Sequence, residues 1–435
     1  MRADEASDPA TRTVLVVGAN GFLGGFIVAA LRGRGHRVLR GVRPVGKPIG
    51  EDERACDLTR MTKPDDWREV LDGVDAVVNA SGILRETGIQ RFETIHVAAP
   101  LALAQACIDR GIDRFVQISA LGLPEDGEFI ASKHRFDEAL RQLPLQTVVL
   151  RPSVVYAAAG SYGGTSLLRA LAGFPGMQVL PGDGRWPIQP VAAEDLGDLA
   201  ALALEAPPGI YEVGGPEPMP LRDYQREWRR WLRISGKREI HVPEVLVTLQ
   251  VGIFERLGSG PVGETMWRML RRGNVTTPDA HARLRDAFNF APRGLVQTLA
   301  SRPSQVQDRW HAQLYFLTPM LRICMVVLWL LSAITGWLTP SADIERLVAG
   351  SPLQGIEPVV LARMAAVFDL VLAVLLLIGW RPRLVLVLMA IGVAAYTLVF
   401  GIALPALWLE PLGGLAKNLA VLPALGVLWV LADRR

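Results

Sequence analysis

Apolar residues follow different rhythms along the chain. Residues 13–18, TVLVVG, are an unbroken run of mostly β-branched side chains that reads as a buried strand. The following ANGFLGGFIVAALRGRG has helical periodicity from Phe22 to Leu31, so the chain opens as strand, glycine turn and helix. Short apolar runs recur at His36–Arg43, just before Asp57, at Ala76–Asn79 and at Arg114–Ser119. Helical stretches separate them, which predicts a parallel, doubly wound sheet. Residues 209–313 continue the mixed pattern. There YEVGGPEPMPLRDYQREWRRWL predicts a strand, a turn and an amphipathic helix, with Trp228, Trp231 and Leu232 inward and Arg226, Arg229, Arg230 and Arg233 on a solvated face. Val242–Gly258 is apolar nearly all round and fits a core helix, the mouth of an apolar pocket or a helix resting on a bilayer. Four stretches then lose all polar periodicity: Pro319–Leu338, Val359–Trp380, Leu384–Leu404 and Gly413–Ala432. Each is close to the ~20 residues that cross a hydrocarbon core.

Composition sharpens the division. The 435 residues are 50% hydrophobic and 20% charged. Of the charged side chains, 14 lie in the last 122 residues and 75 in the first 313, so the two parts are made for different solvents. A net charge of +3 is too small for a nucleic-acid groove, and no nucleic-acid partner is expected. Cys56, Cys107 and Cys324 have no CxxC or Cys/His spacing, which argues against a disulfide framework and against a metal site. The opening MRADEASDPATRT lacks the apolar centre of a signal peptide, so the first domain is expected in the cytoplasm.

The turn after the first strand carries Gly18, Gly21 and Gly24 in the spacing GxxGxxG. The first glycine permits the tight turn and the second lets the backbone approach a pyrophosphate. The third allows close packing of helix on strand, with the phosphates at the helix N-terminus. The second strand ends in Arg40 and Arg43 with no carboxylate, which favours the 2′-phosphate of NADP(H) over the ribose hydroxyl of NAD(H). The expected fold is therefore α/β. A polar tail (1–12) leads into a Rossmann-type doubly wound parallel sheet (13–313) with a small substrate lobe at about 209–313. An all-α four-helix transmembrane domain (314–435) follows.

Seven stretches in order resemble the extended short-chain dehydrogenase/reductases, in particular the atypical NmrA-like branch that includes the nucleotide-binding accessory subunit of mitochondrial complex I. They are VLVVGANGFLGG, CDL at Cys56–Leu58, VVNASG at Val77–Gly82, FVQISALG at Phe115–Gly122, ASKHRFDEAL at Ala131–Leu140, VVLRPSVVY at Val148–Tyr156 and PVAAEDLGDLA at Pro190–Ala200. The resemblance covers roughly residues 13–300. It implies that Gly18, Gly21, Phe22, Leu23 and Arg43 touch the phosphates and ribose, alongside Gly24 of the same turn. It likewise implies Asp57 and Leu58 for the adenine, Ala80 and Gly82 for the central ribose region, and Pro152 to Val155 for the nicotinamide side. Active relatives pair Tyr and Lys as YxxxK. Here Lys133 is in place, to hold the nicotinamide ribose, but the residue four before it is Phe129, which has no proton to give. Ser119 stands near the helper-hydroxyl position, with Ala120 and Leu121 after it. Tyr156 and Tyr162, both past a strand end, are substitute acids or pocket-lining residues. His96 fits a hydrogen-bonded structural role, and Asp195 a helix cap.

The tail resembles the DoxX-like membrane family through FDLVLAVLLLIGWRPRL at Phe368–Leu384 and GGLAKNLAVL at Gly413–Leu422. RPR (Arg381–Arg383) and the terminal DRR are basic, whereas the other connectors hold Asp343, Glu345, Arg346, Glu357 and Glu410. The positive-inside rule then predicts a multi-pass protein of a bacterial-type inner membrane with both termini cytoplasmic. Arg322 and Arg363 lie near helix ends, where they can snorkel. Asp369 falls near mid-span, with Lys417 and Asn418 as its expected neighbours in a polar membrane site, functional or a structural interhelix hydrogen bond. Two functions fit. One is a membrane-anchored NAD(P)(H)-binding oxidoreductase acting on a lipophilic substrate such as a quinone or lipid. The other is a non-catalytic NADP(H)-binding structural, assembly or redox-sensing protein of a membrane redox complex.

Overall fold

The computed structural model describes residues 11–44, 46, 48–236, 238–256, 263–355, 357–409 and 414–432. They fall into two compact units, Met1–Ala312 and Gln313–Arg435. In the first, strands β1 (Thr13–Val17), β2 (Arg37–Val42), β3 (Glu53–Ala55), β4 (Ala76–Asn79), β5 (Arg114–Ile118) and β6 (Gln146–Pro152) join the strand Gly209–Val213 in one seven-stranded sheet. All pairings are parallel, in the order Gly209–Val213, β6, β5, β4, β1, β2, β3. The order reverses between β1 and β4, and ligands of such sheets bind outside the strands' carboxyl ends at that point.

Both sheet faces are covered, which is why β1 is apolar without alternation. Val14 and Val16 join one core with Ile27, Leu31, Leu196 and Leu199. Leu15 and Val17 join the other with Trp67, Leu103, Phe115 and Phe136. The first core rests on helix α1 (Phe22–Gly33) and the helix Ala193–Leu202 (α5, counting Gly163–Ala172 of the lobe as α4), the second on α2 (Ala99–Asp109) and α3 (Glu128–Arg141).

The lobe differs from its sequence reading. Gly209–Val213 is the edge strand of the main sheet, not the start of the lobe, and the lobe also draws on the chain between Val155 and Ile188. There Met177–Pro181 pairs in parallel with Arg238–Val242, and Pro187–Ile188 pairs with Met219–Pro220. Arg229, read as part of a solvated face, is 4% exposed. Its guanidinium donates to the carbonyls of Ala172, Phe174, Met177 and Ser235 at 2.7 to 2.8 Å and so ties these segments of the lobe together.

Among the described residues, Val306–Leu338, Pro358–Ile378 and Pro382–Ala403 are long and apolar enough to cross a membrane. The first helix begins before the apolar run, at Val306, because the polar stretch ahead of it is also helical. The fourth apolar helix, Leu415–Leu431, is shorter, about 25 Å at 1.5 Å per residue. Thus three candidate spans, rather than four, stand among the described residues. The connector residue Glu410 and the terminal DRR lie outside them. Arg322 and Arg363 are not merely snorkelling. Arg322 donates to the Leu376 and Leu377 carbonyls at the C-terminus of Pro358–Ile378. Arg363 donates to Gly336, Trp337 and Thr339 at the end of Val306–Leu338. Each helix thereby sets a cation on the other's C-terminal carbonyls, where the helix dipole favours one.

Candidate functional site

The glycine turn leaves β1 at the switch point. Gly18 has φ +82°, and a Cβ there would stand 3.0 Å from the Ser81 nitrogen. A Cβ on Gly24 would meet the Gly18 carbonyl oxygen at 2.2 Å, so only glycine lets α1 sit this close to the turn. Helix α1 starts after Gly21 with no capping side chain and no acidic residue in its first turn. The first N–H groups of the helix are thus left without a side-chain acceptor, and the turn fits a dinucleotide pyrophosphate.

At the end of β2 the two arginines part company. Arg40 is 3.1 Å from Glu53 on β3 and also donates to Asn20. Arg43 is exposed and faces the side-chain amide of Gln90. A carboxylate absent from β2 is thus supplied by the neighbouring strand, which a reading of β2 alone missed. Asp57 accepts from the Thr59 amide at 3.1 Å and its hydroxyl at 2.6 Å, which fixes the turn that carries Leu58.

Beyond β4 and β5 lies Lys133. Lys133 is 6% exposed, and its ammonium donates to the carbonyls of Ile118 at 3.1 Å and Ser81 at 3.4 Å. Burial brings its pKa down from 10.5 to about 8, against the opposing pull of Asp137. A Cβ on Gly82 would stand 3.3 Å from Lys133 Nζ and 3.5 Å from His96 Nε2, so this exposed glycine leaves the approach to the ammonium open. His96 sits on a π-helical turn, Glu93–Ala98, that leads into α2. Its Nε2 accepts from the Ile83 amide at 3.0 Å, and its Nδ1 is 2.8 Å from Ser132 Oγ, so both ring nitrogens are engaged. Burial first, then the charge of Lys133, lowers its pKa to about 2 and keeps it neutral. Phe129 packs edge-on to His96 at 5.7 Å, where relatives carry a phenol.

The substitutes are separated by burial. Ser119 is buried and donates to Asp137 Oδ2 at 2.7 Å, an oxygen that Arg151 also holds at 2.9 Å. Tyr156 is 1% exposed in a core cluster with Tyr224 and Trp228, and burial pushes its phenol up. The sequence offered Ser119 and Tyr156 as catalytic groups; in the fold one hydroxyl is engaged and the other is inside the lobe core. Tyr162 instead is 56% exposed and stacks on Phe22 at 6.1 Å, over the start of α1. Asp195 does not cap α5. Fully buried, it receives the Arg293 amide at 2.6 Å and the guanidinium at 2.8 Å. Pro152 accepts from the Leu121 amide at 2.8 Å, Val155 pairs with Val191, and Ala80 packs on the first core, which sets these segments along the carboxyl edge.

In the second unit, buried Asp369 accepts from Ser332 Oγ at 2.6 Å. Asn418 donates to Thr397 at 3.0 Å, so the expected pairing of Asn418 with Asp369 gives way to two separate interhelix bonds. Lys417 lies in the short turn before the last helix.

A parallel sheet with an uncapped glycine turn at its switch point defines a nucleotide-binding domain of the NAD-dependent epimerase/reductase type. Residues 14–214 match the NAD-dependent epimerase/dehydratase family. Residues 326–428 match the DoxX-like family. The chain therefore joins an SDR-like nucleotide-binding domain to a DoxX-like domain with helices apolar enough to span a membrane. It is 28% identical over 150 residues to the mouse (Mus musculus) mitochondrial NADH dehydrogenase [ubiquinone] 1 alpha subcomplex subunit 9, which covers 32% of this chain and 40% of that protein. It is 25% identical over 228 residues to the ceramide reductase of Caulobacter vibrioides, covering 51% and 68%. The chain spans 54%, 40% and 59% of the lengths of the first three curated relatives it matches. The solved structure of gox2253, 22% identical with a TM-score of 0.50, covers 66% of this chain and 96% of its own, a likeness of fold.

Proposed function

We propose that this protein is a membrane-anchored NAD(P)(H)-dependent reductase whose substrate is dissolved in the bilayer, a lipid carbonyl or a quinone. The observation that carries the reading is the pairing of the uncapped glycine turn and buried Lys133 with membrane helices in one polypeptide. A tethered site meets a bilayer-dissolved substrate at a raised effective concentration. Exposed apolar side chains on the carboxyl-edge loops support it: Ile89 after β4, Leu123 after β5 and Tyr162 after β6 are 78%, 48% and 56% exposed. The likeness to a protein named ceramide reductase agrees with a lipid substrate.

In this reading Gly18, Gly21, Phe22, Leu23 and Gly24 hold the pyrophosphate, and Arg43 the 2′-phosphate of NADP(H), which it prefers to NAD(H). Asp57 and Leu58 flank the adenine. Ala80, Gly82, Pro152 and Val155 line the rest. When bound, the nicotinamide supplies or takes a hydride. Lys133 holds the ribose hydroxyls as an ammonium. With a pKa of about 8, it is also the group beside Gly82 able to give up a proton near neutrality. The protein is multi-pass in a bacterial-type inner membrane, with Leu415–Leu431 and its flanking residues completing a fourth crossing and both termini cytoplasmic. Phe129 favours a second reading, a nucleotide-binding assembly or sensing subunit without turnover.

The test is transfer of label. The full chain in lipid nanodiscs, given NADPH tritiated at the transferable position of the nicotinamide C4, is expected to lose tritium from the nucleotide, into the organic extract when the acceptor is a ketone and into exchangeable solvent protons when it is a quinone. Label that stays in the aqueous nucleotide, despite tight binding and added quinone and ceramide-type ketone, would support the second reading.

A further inference from the structure

We propose that the helix Glu244–Arg256 is a bilayer-surface helix that seats the substrate lobe on the membrane. Its sequence admitted three roles, and its packing separates them. Of its 13 residues only Val251 is buried. The packed side faces the helix Glu264–Arg272, where Trp267 Nε1 donates to Thr248 Oγ1 at 3.0 Å. On the opposite side Val245, Leu246, Leu249 and Ile253 are 77%, 55%, 59% and 48% exposed. At 3.6 residues per turn these four share an arc of about 100°. A water-facing helix places polar side chains there; this one places four aliphatic ones in a row.

Charge and area select the occupant. The cation at the C-terminal end of the arc is Arg256, and the two carboxylates beside the arc are each paired, Glu244 with Arg271 at 3.4 Å and Glu255 with Arg85 at 3.6 Å. On the next helix half-exposed Arg268 and Arg271 are themselves paired, with Glu264 and Glu244. An apolar strip with neutralised acids and flanking arginines matches acyl chains beneath anionic headgroups. Four side chains on one helix fall well short of the roughly 800 Å² per partner of a stable protein interface. The same polypeptide already carries the membrane-crossing helices, so no second tether is needed. The helix also borders the cleft. Glu255 holds Arg85 of the loop that begins at Gly82, and Met266 of the neighbouring helix lies where a Cβ on Gly164, two residues from Tyr162, would collide with it. A lipid substrate would enter from the bilayer beside this helix. That last step rests on the reductase reading; the membrane contact itself does not.

The experiment is depth quenching of an environment-sensitive fluorophore. The full chain carrying Cys324→Ser and Leu249→Cys, labelled with a nitrobenzoxadiazole dye, is placed in vesicles of phosphatidylcholine with one-third phosphatidylglycerol. Doxyl-labelled lipids are expected to quench it several-fold more than the same dye at exposed Gln142→Cys. Adding Val245→Glu and Ile253→Glu should abolish the difference while nucleotide binding, read by NADPH fluorescence, is kept. Equal quenching at positions 249 and 142 would overturn the proposal. So would burial of the dye that persists in detergent and disappears on dilution, which would assign the face to a second copy of the chain. Neither readout requires turnover, so a failed reductase reading leaves this result intact.

Discussion

Arg40 and Arg43 are three residues apart and face different tasks. Glu53 already neutralises Arg40, so the 2′-phosphate of NADPH must compete for it, whereas Arg43 meets the neutral amide of Gln90. Arg43→Ala should weaken NADPH binding about 10- to 100-fold, the worth of one or two charge-assisted bonds, and leave NADH within about 2-fold. Glu53→Gln should instead tighten NADPH binding. Isothermal titration of the full chain in nanodiscs distinguishes these outcomes, and unchanged NADPH affinity in Arg43→Ala would remove the phosphate assignment. His96 gives a pH prediction. Its folded pKa of about 2 lies below the ordinary 6.5, so under pH 6.5 the unfolded chain binds a proton that the folded one refuses. Stability therefore falls as pH falls, by up to about 1.4 kcal/mol per pH unit from this group. His96→Gln, which can still accept from Ile83 and donate to Ser132, should flatten the loss in thermal melts between pH 6.5 and 4. The absent phenol at Phe129 and the glycine spacing were legible in the sequence because each is local. The bonds of Ser119 to Asp137, His96 to Ser132 and Arg40 to Glu53 join residues 13 to 36 positions apart. No local pattern marks such pairs; only the folded sheet brings them together.

At the level of elements, periodicity placed β1, β2, β4 and β5 because a strand buried on both faces is apolar without interruption. It misassigned Gly209–Val213, whose neighbour in the sheet is β6, a partner fixed by topology rather than by sequence proximity. The first apolar helix likewise outran its run: it starts at Val306 and continues through Pro319, the residue at which the sequence reading began it. The two membrane arginines are the elements' own fasteners. Arg363→Leu keeps the volume but frees three carbonyls at the end of Val306–Leu338, and should cost about 1–3 kcal/mol. A drop in detergent melting temperature, absent in Arg346→Leu at an exposed surface pair, is the expected signature.

For the whole molecule, the proposed topology puts Thr339–Pro358 outside and Arg381–Arg383 inside. A cysteine placed at Ser351 in intact cells should react with an impermeant maleimide. Reaction only after the inner face is opened would invert the arrangement. The central claim is that a bound nucleotide reduces something dissolved in the membrane, and one single-turnover measurement tests it. The full chain in nanodiscs is loaded with one equivalent of NADPH, mixed with a bilayer-dissolved quinone or long-chain ketone, and followed by nucleotide fluorescence. Oxidation is predicted in the wild type, with at least a 10²-fold loss in Lys133→Met and no loss, or a gain, in Phe129→Tyr, since a positioned proton donor is worth about 10²–10⁴-fold. Tight NADPH binding with no oxidation in either the wild type or Phe129→Tyr, across all acceptors, would contradict the account.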